Sequence, residues 1–214
     1  MPLIYLMRHA ESQANKAGVL AGRDDAVSLT SKGYKDSKQA VKYLRKLEIS
    51  QIYSSPIKRC LQTVSPFAKE VGITPSIDNS LIEMDFGTWS GKKLSELSKT
   101  KEWRKIQDNP AAFRFPEGES FKEMHLRVEK FLKRVSRGKK PILVVSHGDV
   151  IKMIICCCLD LSINQFQRIV ITPASLSIIE YTPKSKALLQ SNMKLSKGNF
   201  KDKATKFLLG GENA

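Results

Sequence analysis

The chain lacks any uninterrupted apolar run approaching the roughly 20 residues that cross a bilayer, and its first residues carry no basic stretch leading into an apolar one as a secretory signal would. A cytoplasmic protein without a membrane partner is therefore expected. No internal repeat or low-complexity block interrupts the sequence, which excludes a solenoid or a long disordered array. Cysteine is scarce, four residues in 214: Cys60 and the consecutive Cys156, Cys157 and Cys158. That spacing builds neither a disulfide framework nor the paired ligands of a zinc site, so small buried residues in a reducing compartment are expected. Aromatic residues are only 7% of the chain and do not alternate with lysines as a platform for single-stranded nucleic acid would require. Glycine-rich nucleotide-binding patterns and clusters of metal-ligand residues are missing as well, so neither a cofactor nor a metal is expected.

What is present is positive charge, a formal net +15. Lys32, Lys35, Lys38 and Lys42 are spread along one predicted helix in the manner of a solvated face, and no nucleic-acid partner is expected from them. A small anionic molecule would still benefit from the general field. At 214 residues with 41% hydrophobic content, the chain can bury a substantial core in one domain.

The apolar runs organise that domain. Residues 2–7 read as a buried strand, followed by a polar loop from Arg8 to Ser28. Thr30 suits the N-cap of a helix over 31–47, with Tyr34, Ala40, Val41, Leu44 and Leu47 on its apolar face. A strand over 49–54 and a helix from Pro56 to Val71, stopped by Gly72, come next, with a short edge strand over 73–77. Residues 80–120, rich in turn formers and aromatics, read as one or two short helices laid over the domain. An amphipathic helix over 121–135, a buried strand over 141–146 and a helix over 149–159 follow, and 168–172, 176–182 and 187–194 alternate like strands. The polar residues beyond 196 read as a tail. Strands alternating with helices predict an α/β fold: three layers, with a mostly parallel central sheet flanked by helices on both faces and ligands at the carboxyl ends of its strands.

Arg8 and His9, Arg59, and His147 all fall just after such strands. Transfer of a phosphoryl group develops charge on its peripheral oxygens, so it needs fixed donors around phosphorus and an in-line nucleophile. Arginine supplies forked, permanently charged donors, which suits Arg8 and Arg59. A neutral imidazole attacks phosphorus if its other nitrogen is held, and on chemistry alone either His9 or His147 could be that nucleophile. The leaving oxygen then needs a proton, for which Glu83 is preferred to Asp85 because its side chain reaches further. Taken alone, Asn15 reads as a cap or turn former and His125 as a surface residue.

The combination resembles the histidine phosphatase superfamily, also called the phosphoglycerate mutase-like family, and within it the small phosphatase branch. Five stretches carry the likeness in order: Leu6–Ser12 with Asn15 downstream, Ser54–Thr63, Leu81–Glu83 followed by Phe86–Gly91, Pro116–Ser120, and Ser146–Gly148. The resemblance implies a catalytic domain over 1–195 followed by a polar, basic segment over 196–214. It implies metal-independent hydrolysis of a small phosphorylated metabolite through a phosphohistidine on His9. Arg8, Asn15, Arg59 and His147 would bind the phosphate, and Glu83 would donate the proton. Ala10 stands where many members have glycine, and the loop 16–29 is slightly long, which bears on substrate choice. A phosphoglycerate mutase is the alternative, although the Glu-Arg-His-Tyr-Gly stretch of mutases has no counterpart in 92–114. A noncatalytic phosphate sensor or nucleic-acid binder on the same fold is a further one, against which the presence of both His9 and Glu83 argues.

Overall fold

A computed structural model describes residues 3–195; the expected tail over 196–214, and Pro2 at the start of the first strand, lie outside the described residues. In chain order the elements are β1 (Leu3–Arg8), α1 (Gln13–Ala17), α2 (Ser31–Leu44), β2 (Gln51–Ser54), α3 (Lys58–Val71), β3 (Ser76–Ile77), α4 (Leu94–Leu97), α5 (Lys101–Asp108), α6 (Phe121–Val135), β4 (Ile142–Ser146), α7 (Gly148–Cys158), β5 (Ser175–Tyr181) and β6 (Lys186–Lys194). The sheet runs β3-β2-β4-β1-β5-β6, with β3, β2, β4 and β1 parallel and β5 and β6 added antiparallel.

Period-two side-chain alternation divides the core into two layers. Ile4, Leu6, Ile142 and Val144 pack with α6 and α7, whereas Tyr5, Met7, Leu143 and Val145 pack with α2 and α3. Thus α2, which follows β1 and α1, covers one face and α7, which follows β4, the other, although β1 and β4 are neighbours. Adjacent parallel strands whose connections leave in opposite directions open a crevice at their carboxyl ends. Arg8 and His9, at the end of β1, line that crevice, and Ser146 and His147, at the end of β4, are buried beside them. Cys156, Cys157 and Cys158 are buried in α7, as expected of small apolar helix residues, and the aromatics of 86–115 form a cluster over the sheet with Phe115 against Phe86 at 5.0 Å and Trp89 at 5.4 Å. Lys32, Lys35, Lys38 and Lys42 are exposed along α2.

Three local expectations are corrected. Residues 168–172 form no strand: a 3₁₀ turn over Ile163–Arg168 runs into irregular backbone. Their polar backbone groups are taken elsewhere, the Ile171 carbonyl by Arg8 and the Thr172 N–H by the Asn192 side chain, and Pro173 brings no N–H for a ladder. Tyr34 is 42% exposed rather than on the buried face of α2, whose inner face is instead completed by Gly33 and Ser37. The loop 8–28 contains α1, capped by reciprocal bonds between Ser12 and Asn15.

Gly33 is buried because α2 lies against the backbone of Glu11, two residues after His9; a methyl group there would collide with the Glu11 carbonyl oxygen. Gly33→Ala is expected to destabilise the fold by about 2 kcal/mol through overpacking, despite alanine's better helix propensity. A thermal midpoint roughly 4–8 °C below wild type checks it; an unchanged or raised midpoint would show that Glu11 yields freely.

Candidate active site

The end of β1 sets the first two groups. His9 continues the ladder by donating its N–H to the Ser146 carbonyl at 2.9 Å, which brings the ends of β1 and β4 together. Its Nδ1 lies 2.8 Å from the Ala10 carbonyl, an atom that only accepts, so Nδ1 carries the proton and Nε2 the lone pair of the neutral ring. Burial, with Arg8 and Arg59 close by, holds the His9 pKa well below its ordinary value. The ring is thus oriented and unprotonated, with its free lone pair on Nε2. Ala10 donates its N–H to Thr63 Oγ1 at 2.9 Å, and Thr63 in turn donates to the Arg59 carbonyl at 2.7 Å. This links the loop after β1 to α3.

Arg8 donates through Nη1 to the Ile171 carbonyl at 2.6 Å, and its guanidinium runs beside Gly148, where a Cβ would stand 3.2 Å from Cζ. The Arg8 Nε is buried without a partner among the described residues. An unsatisfied buried donor lining a cleft fits an anionic acceptor. Arg59, fully buried, is held by the carbonyls of Gly22 at 2.7 Å and Asp24 at 3.1 Å, and its Nη2 lies 3.2 Å from His147 Nδ1. Arginine only donates, so His147 accepts at Nδ1 and donates from Nε2 to Ser55 Oγ at 2.8 Å. Burial first, and Arg59 next, depress the His147 pKa well below its usual value. His147 does not line the cleft; it lies beneath it, its ring 5.3 Å from that of His9 and its Nδ1 3.6 Å from Glu83 Oε2.

Glu83 faces this cluster. Its Oε1 accepts from the Met84 N–H at 2.9 Å, and burial, reinforced by the nearby Asp149 charge, raises its pKa to about 7 despite the opposing arginines. Asp85 is turned away, paired with Arg23 at 3.1 Å and capping the Gly87 N–H at 3.0 Å. Asn15 sits at the exposed rim; its Oδ1 accepts from the Ser12 N–H and hydroxyl, which leaves the amide NH₂ as the donor for the cleft. His125 lies on α6 away from these groups.

Sequence reasoning missed the frame behind the acid. Arg23 donates through Nε to the Glu83 carbonyl at 3.0 Å and reaches Asp85 and Glu119; Glu119 also binds Arg127 through both carboxylate oxygens, at 2.7 and 3.0 Å. Ser146 Oγ holds the Leu81 carbonyl at 2.7 Å from the other side. Glu119 lies within Pro116–Ser120, but nothing in spacing alone ties it to Arg23, 96 residues away. Among the described residues no group of three or more His, Cys, Asp or Glu side chains is placed to hold a metal ion, and no helix is long and apolar enough to cross a membrane.

Comparison with known proteins identifies the family and the fold. The profile of the histidine phosphatase superfamily (branch 1) matches residues 4–194. Phosphoserine phosphatase 1 of Hydrogenobacter thermophilus is 29% identical over 204 residues, covering 94% of this chain and 96% of the relative. A probable phosphoglycerate mutase of an Enterobacter species is 31% identical over 183 residues, 83% of this chain and 84% of that one. In fold, the chain is similar to a putative alpha-ribazole-5'-P phosphatase of Escherichia coli, with a TM-score of 0.81 at 23% identity over 90% of this chain and 97% of the other. With the motifs in order and the fold in common, the chain is an enzyme of branch 1 of the histidine phosphatase superfamily.

Proposed function

We propose that the protein hydrolyses a small phosphomonoester through a phosphohistidine at His9, without a metal. The observation that carries this reading is the neutral His9 ring, its Nδ1 tied to the Ala10 carbonyl and its Nε2 left as a nucleophile, beside Arg8 and the buried Arg59. In the first step the Nε2 lone pair attacks phosphorus and the ester P–O bond breaks; the departing oxygen takes the Glu83 proton. In the second, Glu83 as carboxylate accepts a proton from water as the water attacks phosphorus, releasing inorganic phosphate and restoring His9. Arg8 and Arg59 stabilise the equatorial oxygens, Asn15 contributes its amide, and His147 forms the floor by holding Arg59 through Nδ1.

Hydrolysis is favoured over phosphoglycerate mutation because the cleft beyond the phosphate end presents mainly apolar side chains, and its further cation, Lys152, is already held by Asp149 at 3.2 Å and Gln167 at 3.4 Å. A mutase must hold its carboxylate-bearing acceptor in the cleft while the phosphohistidine gives it a phosphoryl group and the resulting bisphosphate returns the other one to the histidine.

A panel of phosphomonoesters assayed after exhaustive dialysis against chelator tests this function. Turnover with release of inorganic phosphate is expected, at a rate within about twofold of an untreated sample, since two fixed guanidinium groups supply the charge that a Lewis acid would otherwise bring. Loss of turnover on dialysis with recovery on adding magnesium or zinc would overturn the metal-free mechanism.

A further inference from the structure

Phosphate chemistry occupies one end of the cleft only. The whole cavity is about 400 Å³, within the range of sites that enclose an organic molecule of moderate size. Its lining includes apolar side chains from separate stretches of chain: Leu20 after α1, Leu94 of α4 and Trp103 of α5, and Ile169 and Val170 from the segment before β5. Two of these are apolar side chains left open to water at the mouth, Leu94 at 37% and Val170 at 65% exposure. Trp103 is half-buried and rigidly backed, stacked on Trp89 at 6.5 Å with 12° between the rings. The 169–170 stretch leads directly into Ile171, whose carbonyl holds Arg8, so this wall is anchored to the phosphate end.

Charge in the outer part is already met. Lys152 is bonded to Asp149 and Gln167, and its ammonium lies 4.9 Å from the centre of the Phe166 ring. A substrate carboxylate drawn to Lys152 would meet the repelling carboxylate of Asp149 beside it. Apolar carbon brought against Leu20, Leu94, Trp103 and Val170, by contrast, removes water from both surfaces.

From these observations we propose that the alcohol half of the substrate is apolar, an alkyl or aryl body of roughly four to eight carbons, rather than a small amino- or hydroxy-carboxylate. The proposal rests on the phosphomonoesterase reading for which end of the molecule enters first. The apolar body would lie against Trp103 and Val170 while the ester oxygen faces Glu83.

The test measures binding without requiring turnover. Linear alkyl phosphonates from ethyl to octyl, whose P–C bond the enzyme cannot hydrolyse, are titrated calorimetrically into the full-length protein beside 2-amino-4-phosphonobutyrate, a zwitterionic phosphonate of similar length. Kd is expected to fall about three- to fourfold per added methylene until the cleft is filled, with the zwitterion binding more weakly than butyl phosphonate. Trp103→Ala should flatten that series, weakening hexyl phosphonate by about tenfold and ethyl phosphonate by less. Val170→Asn, at a position too exposed to carry the fold, should flatten it in the same direction. A Kd independent of chain length, or a zwitterion tenfold tighter than butyl phosphonate, would overturn the apolar class. Should affinity climb with chain length while no phosphomonoester is hydrolysed, the apolar wall stands and the hydrolytic function fails; hydrolysis with a flat series means the reverse.

Discussion

His9→Ala is expected to lower kcat/KM by at least about 10⁴-fold, a loss of about 5.5 kcal/mol in transition-state stabilisation. The size follows from what the ring supplies. In the proposed reaction its Nε2 is the attacking atom, and its proton is fixed on Nδ1 by the Ala10 carbonyl, so no rotation or deprotonation would precede attack. Burial and the two arginines keep it unprotonated well below neutrality, so the nucleophile persists through the whole neutral range of pH. Alanine removes all of this while leaving the backbone bond to Ser146 and the Arg8 and Arg59 anchors in place. Quenching wild type during turnover of a labelled ester should trap an acid-labile, alkali-stable phosphoryl adduct, absent from His9→Ala. His147→Ala provides the contrast: with Arg59 loosened the rate should fall, yet the adduct should still form. An adduct persisting in His9→Ala but lost in His147→Ala would exchange the roles of the two histidines.

Those two rings show where sequence reading stops. Both follow apolar runs, 3–7 and 142–145, whose continuous hydrophobicity marks strands buried on both faces. Position after a strand thus placed Arg8, His9 and His147 at one end of the sheet, and the helix after the 51–54 strand brought Arg59 with them. Which ring faces the cleft depends on hydrogen bonds that chain order does not reveal: the Ala10 carbonyl for one, Arg59 and Ser55 for the other. The same limit applies to Asp85, equal to Glu83 in chemistry but drawn away by Arg23, 62 residues distant. Periodicity misled at 168–172 because alternating side chains also arise where a loop lines a cleft, with no partner strand for its N–H groups. Long-range polar pairings and loop-borne walls are tertiary outcomes; strands and caps are local ones.

The second large effect separates proton donation from charge stabilisation. Glu83→Gln is expected to slow an alkyl phosphate by about 10²–10⁴-fold, the usual contribution of a general acid, because an alkoxide leaves poorly without a proton. An aryl phosphate with an acidic phenol should lose much less, since its phenolate departs unaided. Glutamine keeps the shape of the side chain and an oxygen to accept the Met84 N–H, so the fold should survive the change. The pH dependence follows from the raised pKa: a carboxyl titrating at about 7 is still about half protonated at neutrality, where an ordinary one would have lost its proton almost completely. In wild type, kcat/KM for the alkyl ester should therefore fall as pH rises through about 7, by up to tenfold per unit, and this limb should be missing in Glu83→Gln. Arg59→Ala removes stabilisation from the phosphoryl oxygens themselves, so it should slow both esters to a similar degree and keep the limb. Equal losses for the two esters in Glu83→Gln, with the alkaline limb unchanged, would remove Glu83 as the acid. The carboxyl left to test would be Asp149, which also lines the cleft, because Asp85 is committed to Arg23 and to the Gly87 N–H.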